Sequence, residues 1–133
     1  MKIEKNNHDS DGRVRNGIFK EYFKEGTLSC VGQYSTGEKT GEWKYYPRNG
    51  LLKAVGQFSK GRIIGEWTWY RENIEVMQIG AFDDEKKSGA WRRCHPNGAL
   101  YDEGKYIADK KVGEWRTYDV EGKLVKTTCH KPQ

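Results

Sequence analysis

The sequence is short of apolar residues: hydrophobic side chains fill 35% of its 133 positions, too few for a thick two-layer core. Proline is scarce, and cysteine is limited to Cys30, Cys94 and Cys129. Three thiols cannot all pair within one chain, which argues against a disulfide framework and for a reducing compartment. No run approaches the ~18 apolar residues of a membrane-spanning helix, and no apolar stretch follows Lys2 and Lys5 in the manner of a signal peptide. A cytoplasmic location is the expectation from that start. Long runs of one charge are also missing. Residues 1–66 carry 12 basic and 8 acidic side chains (+4), and residues 67–133 carry 12 and 11 (+1). Nucleic-acid-binding domains gather their positive charge on one face, so this interleaving gives no reason to expect a nucleic-acid partner.

Glycine and aromatic residues are plentiful instead, with 16 Gly and 13% aromatics that include five Trp and eight Tyr. Disordered chains have few aromatics, and here those rings supply most of the buriable area. Their placement is periodic. Gly17, Gly41, Gly65, Gly89 and Gly113 fall 24 residues apart, and two residues after each comes Phe19, Trp43, Trp67, Trp91 or Trp115. Three further on stand Tyr22, Tyr46, Tyr70, Cys94 and Tyr118, followed by Gly26, Gly50, Ile74, Gly98 and Gly122. Leu28, Leu52, Val76, Leu100 and Leu124 come next. The unit closes on Gly32, Gly56, Gly80 or Gly104, each two residues before Tyr34, Phe58, Phe82 or Tyr106. Five units in phase make a repeat architecture.

Each unit divides into two short strands, such as Gly41-Glu-Trp43-Lys-Tyr-Tyr46 and Leu52-Lys-Ala-Val-Gly56-Gln-Phe58. Turn signals such as Pro47-Arg48-Asn49-Gly50 separate them, and Asn-Gly suits the positive-φ positions of tight hairpins. Strands this short, with turns on both sides, predict an all-β, up-and-down meander in one sheet. Glycine inside the segments argues against helix. The in-phase Gly32, Gly56, Gly80 and Gly104 predict that a Trp ring lies flat across the backbone there. Ten strands at roughly 4.8 Å give a ribbon about 50 Å long, with Trp, Leu and Phe columns buried along it. Its stability should add unit by unit. Residues 1–16 read as an irregular or edge-strand leader, 17–128 as the five repeats and 129–133 as a tail.

The pattern Gly-x-Trp-x-x-Tyr-x-x-x-Gly-x-Leu-x-x-x-Gly-x-Tyr resembles the MORN-repeat variant found in bacterial, antitoxin-like chains. The resemblance covers residues 17 to about 128 and departs from the pattern at Ile74, Cys94 and Thr128. It implies a MORN-type β-meander and a small cytosolic antitoxin or immunity protein that occludes a toxin or effector domain along the ribbon. MORN-type repeats also occur in membrane-linked scaffolds, which gives the alternative expectation of binding to anionic lipid.

No constellation in the sequence points to catalysis, to a cofactor or to a small-molecule substrate. Cys94-His95 and Cys129-His130 are out of repeat phase and lack the close-spaced hook of a structural zinc site. The three histidines lie in the leader, a turn and the tail, apart from any nucleophile–base pair. Asp83-Asp84 and Asp102-Glu103 are neighbours on strands, where adjacent side chains point to opposite faces. Two surfaces are candidates for partners. Lys39, Arg62, Lys86, Lys87, Lys110 and Lys111 fall at the unit ends and should line one edge, either as a rail for an anionic partner or as solvated turn charge that blocks edge pairing. The fifth position of the unit varies as Glu21, Tyr45, Trp69, Arg93 and Thr117. Tyr45, Trp69 and Arg93 are residue types that dominate interface hot spots, so they are the partner-binding candidates. The alternative is that Tyr45 and Trp69 widen the central core.

Overall fold

The computed structural model describes His8 and residues 12–131. The leader expected over 1–16 therefore lies largely outside the described residues, apart from an isolated bridge between His8 and Val14. The rest is a single ten-stranded antiparallel sheet with the strands in chain order. They are β1 (Gly17–Tyr22), β2 (Leu28–Ser35), β3 (Glu38–Tyr45), β4 (Ala54–Ser59), β5 (Arg62–Tyr70), β6 (Val76–Asp83), β7 (Lys86–Cys94), β8 (Leu100–Ile107), β9 (Lys110–Tyr118) and β10 (Leu124–His130). The last strand runs two residues into the stretch expected as a tail. No helix among the described residues is long and apolar enough to cross a membrane.

One device recurs along the sheet. Between β2 and β3 the register steps from Val31–Lys44 to Gln33–Thr40, so Gly32 faces three residues, Gly41 to Trp43. Matching steps occur between β4 and β5, β6 and β7, and β8 and β9. Such a bulge kinks the strand through a left-handed residue, and Gly89, for example, takes φ 71° in it. The kink lays the next indole across the glycine opposite, as the sequence predicts. A Cβ built on Gly32, Gly56, Gly80 or Gly104 would stand 1.8–2.1 Å from Cδ2 of Trp43, Trp67, Trp91 or Trp115. Each indole N–H then donates to the carbonyl ten residues earlier, at 3.1–3.2 Å from Gln33, Gln57, Ala81 and Lys105. The ring is buried and its polar atom is satisfied in one move. Thr128 pairs with Trp115 as Gly104 pairs with Trp91, so it holds the fifth position of this column.

The four tryptophans are 0–6% exposed, and with Cys30, Tyr34, Ala54 and Val112 they make up the buried apolar set. The leucine column expected in the core is not in it. Leu28, Leu52 and Leu100 are half-buried and Leu124 is 54% exposed, because they flank open turns with no second layer above them.

The turns also fall differently from the sequence expectation. The two-residue turns with both central φ values positive are Thr36-Gly37, Lys60-Gly61, Asp84-Glu85 and Ala108-Asp109. Asn49-Gly50 and Asn97-Gly98 belong to longer turns, in which Gly50 and Gly98 donate to Pro47 and His95 carbonyls and take φ 80° and 90°. The Asn97 side chain there accepts from the Ala99 N–H at 2.9 Å, which fixes the turn without a left-handed Asn. Ile74 occupies the corresponding glycine position in the third unit and is forced to φ 70°.

Candidate functional site

Alternation along a strand puts residues two apart on the same face, so the fifth positions share the face of the buried tryptophans. Tyr45 and Trp69 join those rings in one stack. Its centroid distances run 6.2 Å from Trp43 to Tyr45, 6.3 Å to Trp67, 6.1 Å to Trp69 and 5.8 Å to Trp91, with planes within 24–29°. Tyr34, Phe58, Phe82 and Tyr106 meet the stack edge-on at 5.1–5.6 Å. Offset and edge-on pairs at such distances add stability beyond area burial. Tyr45 and Trp69 are half-buried, so each ring packs between two tryptophans and still keeps part of its surface open to solvent.

Arg93 stands on the same face in a different role. It sits where the next rung between Trp91 and Trp115 would be, opposite Asp102 in the ladder of β7 and β8. Its Nε donates to Oδ1 and Oδ2 of Asp102 at 3.0 and 3.2 Å, and its Nη2 donates to Oδ2 at 2.5 Å. Asp102 is 5% exposed, the one buried charged side chain among the described residues. The hydrogen bonds that Arg93 donates to Asp102 push the Arg93 pKa further up. The Arg93 guanidinium carbon also lies 5.0 Å from the Tyr101 ring centroid.

The cations at the unit ends divide between the two faces. Lys39 reaches back over Trp43 and Phe58 (4.9 and 5.1 Å), Lys87 over Trp91 and Tyr106 (5.1 and 5.0 Å), and Lys111 over Trp115 (4.6 Å). Arg15, one period before Lys39, covers Phe19 at 4.5 Å, a member of the column that the sequence reading missed. Repeat phase alone could have found it. Arg62, Lys86 and Lys110 are one residue earlier in their units and exposed, with Arg62 3.6 Å from Asp84. The six therefore share an edge but not a face.

Two hollows matter. On the aromatic face the missing rung leaves a slot of about 150 Å³ lined by Arg93, Asp102, Lys87, Lys111, Tyr106 and the flanking tryptophans. Burial pushes the Tyr106 hydroxyl up in pKa, against the pull of Arg93. On the opposite face a wider hollow of about 520 Å³ lies over Ala90 and Val112. Part of its polar rim pairs internally: Arg116 donates to Glu114 at 2.5 Å, and the Tyr118 hydroxyl donates to Glu103 at 2.7 Å, which raises the Tyr118 pKa.

Of the remaining candidates for chemistry, His95 is engaged in structure, while Cys94 and Cys129 are free thiols. The His95 ring nitrogen Nε2 bonds the Tyr118 carbonyl at 2.8 Å and its ring meets Tyr101 edge-on. Among the described residues no group of three or more His, Cys, Asp or Glu side chains is placed to hold a metal ion.

No family model matches this chain, and no curated protein does. Solved structures similar to it include an S. aureus TarM mutant in complex with Fondaparinux, alpha-GlcNAc-glycerol and UDP, at 14% identity, 72% of this chain and a TM-score of 0.47. A second is the GtfA/B complex bound to UDP and GlcNAc, at 10% identity, 86% of this chain and a TM-score of 0.32. The chain spans 19% and 24% of the lengths of those two chains.

Proposed function

We propose that this chain is a non-catalytic protein-binding module, an antitoxin or immunity protein of MORN type that neutralises a cognate toxin by direct contact. The observation that carries the reading is the aromatic face. It presents Tyr45, Trp69 and Arg93 in successive units, half-exposed or exposed, with lysine ammonium groups held over the rings. Tyr, Trp and Arg on a rigid scaffold are the material of interface hot spots. The engagement of His95, Tyr118 and Arg93 in structural hydrogen bonds supports a role without acid–base chemistry, which needs a group free to exchange a proton with substrate. The membrane-scaffold alternative has less support. Its rail of cations is split between two faces, half of them resting on rings.

Affinity capture with the purified chain as bait, followed by co-expression of the captured protein with and without the chain, tests the proposal. The expected result is one captured protein whose toxicity to the host cell the chain relieves. Salt-sensitive binding to anionic vesicles, with no protein captured, would overturn it.

A further inference from the structure

The slot at Arg93 occurs once in a ribbon that otherwise repeats. In the other units the residue opposite the fifth position is Cys30, Ala54, Gln78 or Lys126, and none of these is a carboxylate. Only in the fourth unit does a buried Asp102 hold an arginine across the face. Asp102 takes the Nε and Nη2 edge of the guanidinium, which leaves Nη1 outside that fork. Lys87 and Lys111 bring two further positive charges to the slot, against the single negative charge of Asp102. Their ammonium groups lie 4.6–5.1 Å from the Trp91, Tyr106 and Trp115 centroids. The cations are thus held in place before anything arrives, which lowers the ordering cost of binding.

We infer that this slot receives one Asp or Glu side chain of a protein partner, flanked by apolar residues, and so fixes the register of that partner along the repeat. This rests on the protein-binding reading above and adds to it the chemistry of the central contact. Size restricts the occupant. About 150 Å³ equals roughly five waters of liquid volume, enough for a carboxylate side chain and well below the ~300 Å³ at which small-molecule pockets begin. The surroundings restrict it further. Half-buried Trp69 stacks 5.8 Å from Trp91 on one side, and the Tyr101 ring lies beside the guanidinium on the other. Apolar neighbours on the ligand would cover both, and a free phosphate or a lipid headgroup has none. A carboxylate entering there would meet the guanidinium and two ammonium groups already arranged around the slot, and charge-assisted contacts of this kind are the stronger hydrogen bonds.

The test uses the whole chain and four probes: the peptide acetyl-Gly-Leu-Glu-Leu-Gly-amide, its Gln counterpart, inorganic phosphate, and vesicles containing phosphatidylserine. The expected result is that the Glu peptide shifts the indole N–H resonances of Trp91 and Trp115 and leaves those of Trp43 and Trp67 in place. The Gln peptide should bind about tenfold more weakly. Lys87→Gln and Lys111→Gln leave the Arg93–Asp102 pair intact, so the fold survives, and each should weaken the Glu peptide about threefold. Arg93→Lys keeps the charge without the fork and should weaken it about tenfold. Equal binding of the two peptides overturns the inference, as does displacement of the Glu peptide by equimolar phosphate or salt-sensitive vesicle binding lost in Lys111→Gln. So does a captured partner whose affinity Lys87→Gln and Lys111→Gln leave unchanged, although the protein-binding role would then stand. A Glu peptide that binds as expected when capture finds no partner supports the slot and overturns the antitoxin role instead.

Discussion

Replacing Gly80 with alanine would place a Cβ 1.9 Å from Cδ2 of Trp91. Non-bonded carbons sit at about 3.5–4.0 Å, so the indole must retreat by roughly 1.6 Å or more or leave its seat. Retreat breaks the 3.1 Å bond from its Nε1 to the Ala81 carbonyl. It also drives the ring against Trp69 at 5.8 Å, Phe82 at 5.4 Å and Tyr106 at 5.6 Å. The cost should therefore approach that of deleting the ring, about 3–5 kcal/mol, a large part of the 5–15 kcal/mol that holds a typical domain together. The sign is the first test. Gly80 has no positive φ, and at such a site Gly→Ala ordinarily stabilises by about 0.4–1 kcal/mol through the unfolded chain. The second test is coupling. With Trp91→Ala in the background the new methyl has room, so the double variant should be no less stable than Trp91→Ala alone, a non-additivity of about 3 kcal/mol or more. Urea unfolding of the two single variants and the double variant, followed by circular dichroism, measures both. Additive losses, or a Gly80→Ala cost below 1 kcal/mol, would refute the close packing of ring on backbone.

Ile74→Gly should stabilise by about 0.5–1 kcal/mol, because it releases a β-branched residue from a left-handed conformation at a position already 52% exposed; a lower melting temperature would contradict this. Trp69→Ala should cost about 2–3 kcal/mol, less than a fully buried tryptophan, since the ring stacks on Trp67 and Trp91 yet remains half-open. A melt showing no change would take Trp69 out of the stack. Stability should also fall at alkaline pH. Burial raises the Cys30 thiol and the Tyr106 hydroxyl in the fold. The unfolded chain therefore loses those protons first, and the stabilisation present below the unfolded values of about 8.5 and 10 is lost as pH climbs towards the folded ones. Melting temperatures between pH 8 and 11 should decline less steeply in Cys30→Ala and Tyr106→Phe; identical slopes would show that neither group carries the effect.

The sheet was legible because its organising contact recurs at one spacing: the Gly80 and Trp91 columns can both be read by counting to 24. The turns were less so. Asp84-Glu85 and Ala108-Asp109 form two-residue turns with no glycine. In those hairpins the pairing of the flanking strands holds residues in a conformation that local propensity disfavours. The Arg93–Asp102 pair was missed although its signal is present. Fifth and fourteenth positions of one unit face each other in the register, and in the fourth unit they are the opposite charges Arg93 and Asp102. Reading each position separately hid a property of the pair. The cations divided between faces for the same reason, since Lys86 and Lys87 are neighbours in sequence and opposites across a pleated sheet.

A sheet that adds strands by one rule is a template that can copy itself past its own end, and open edges of this kind are where chains polymerise. Thr128 changes the rule at the last strand. Trp43, Trp67, Trp91 and Trp115 each lie where a Cβ cannot be, and Thr128 carries a branched one in the place where a fifth such indole would rest. An approaching first strand from another molecule brings Phe19 to that spot and meets a side chain instead of bare backbone. At that edge the volume of one branched side chain, rather than a missing hydrogen bond, is what a further ring would have to displace.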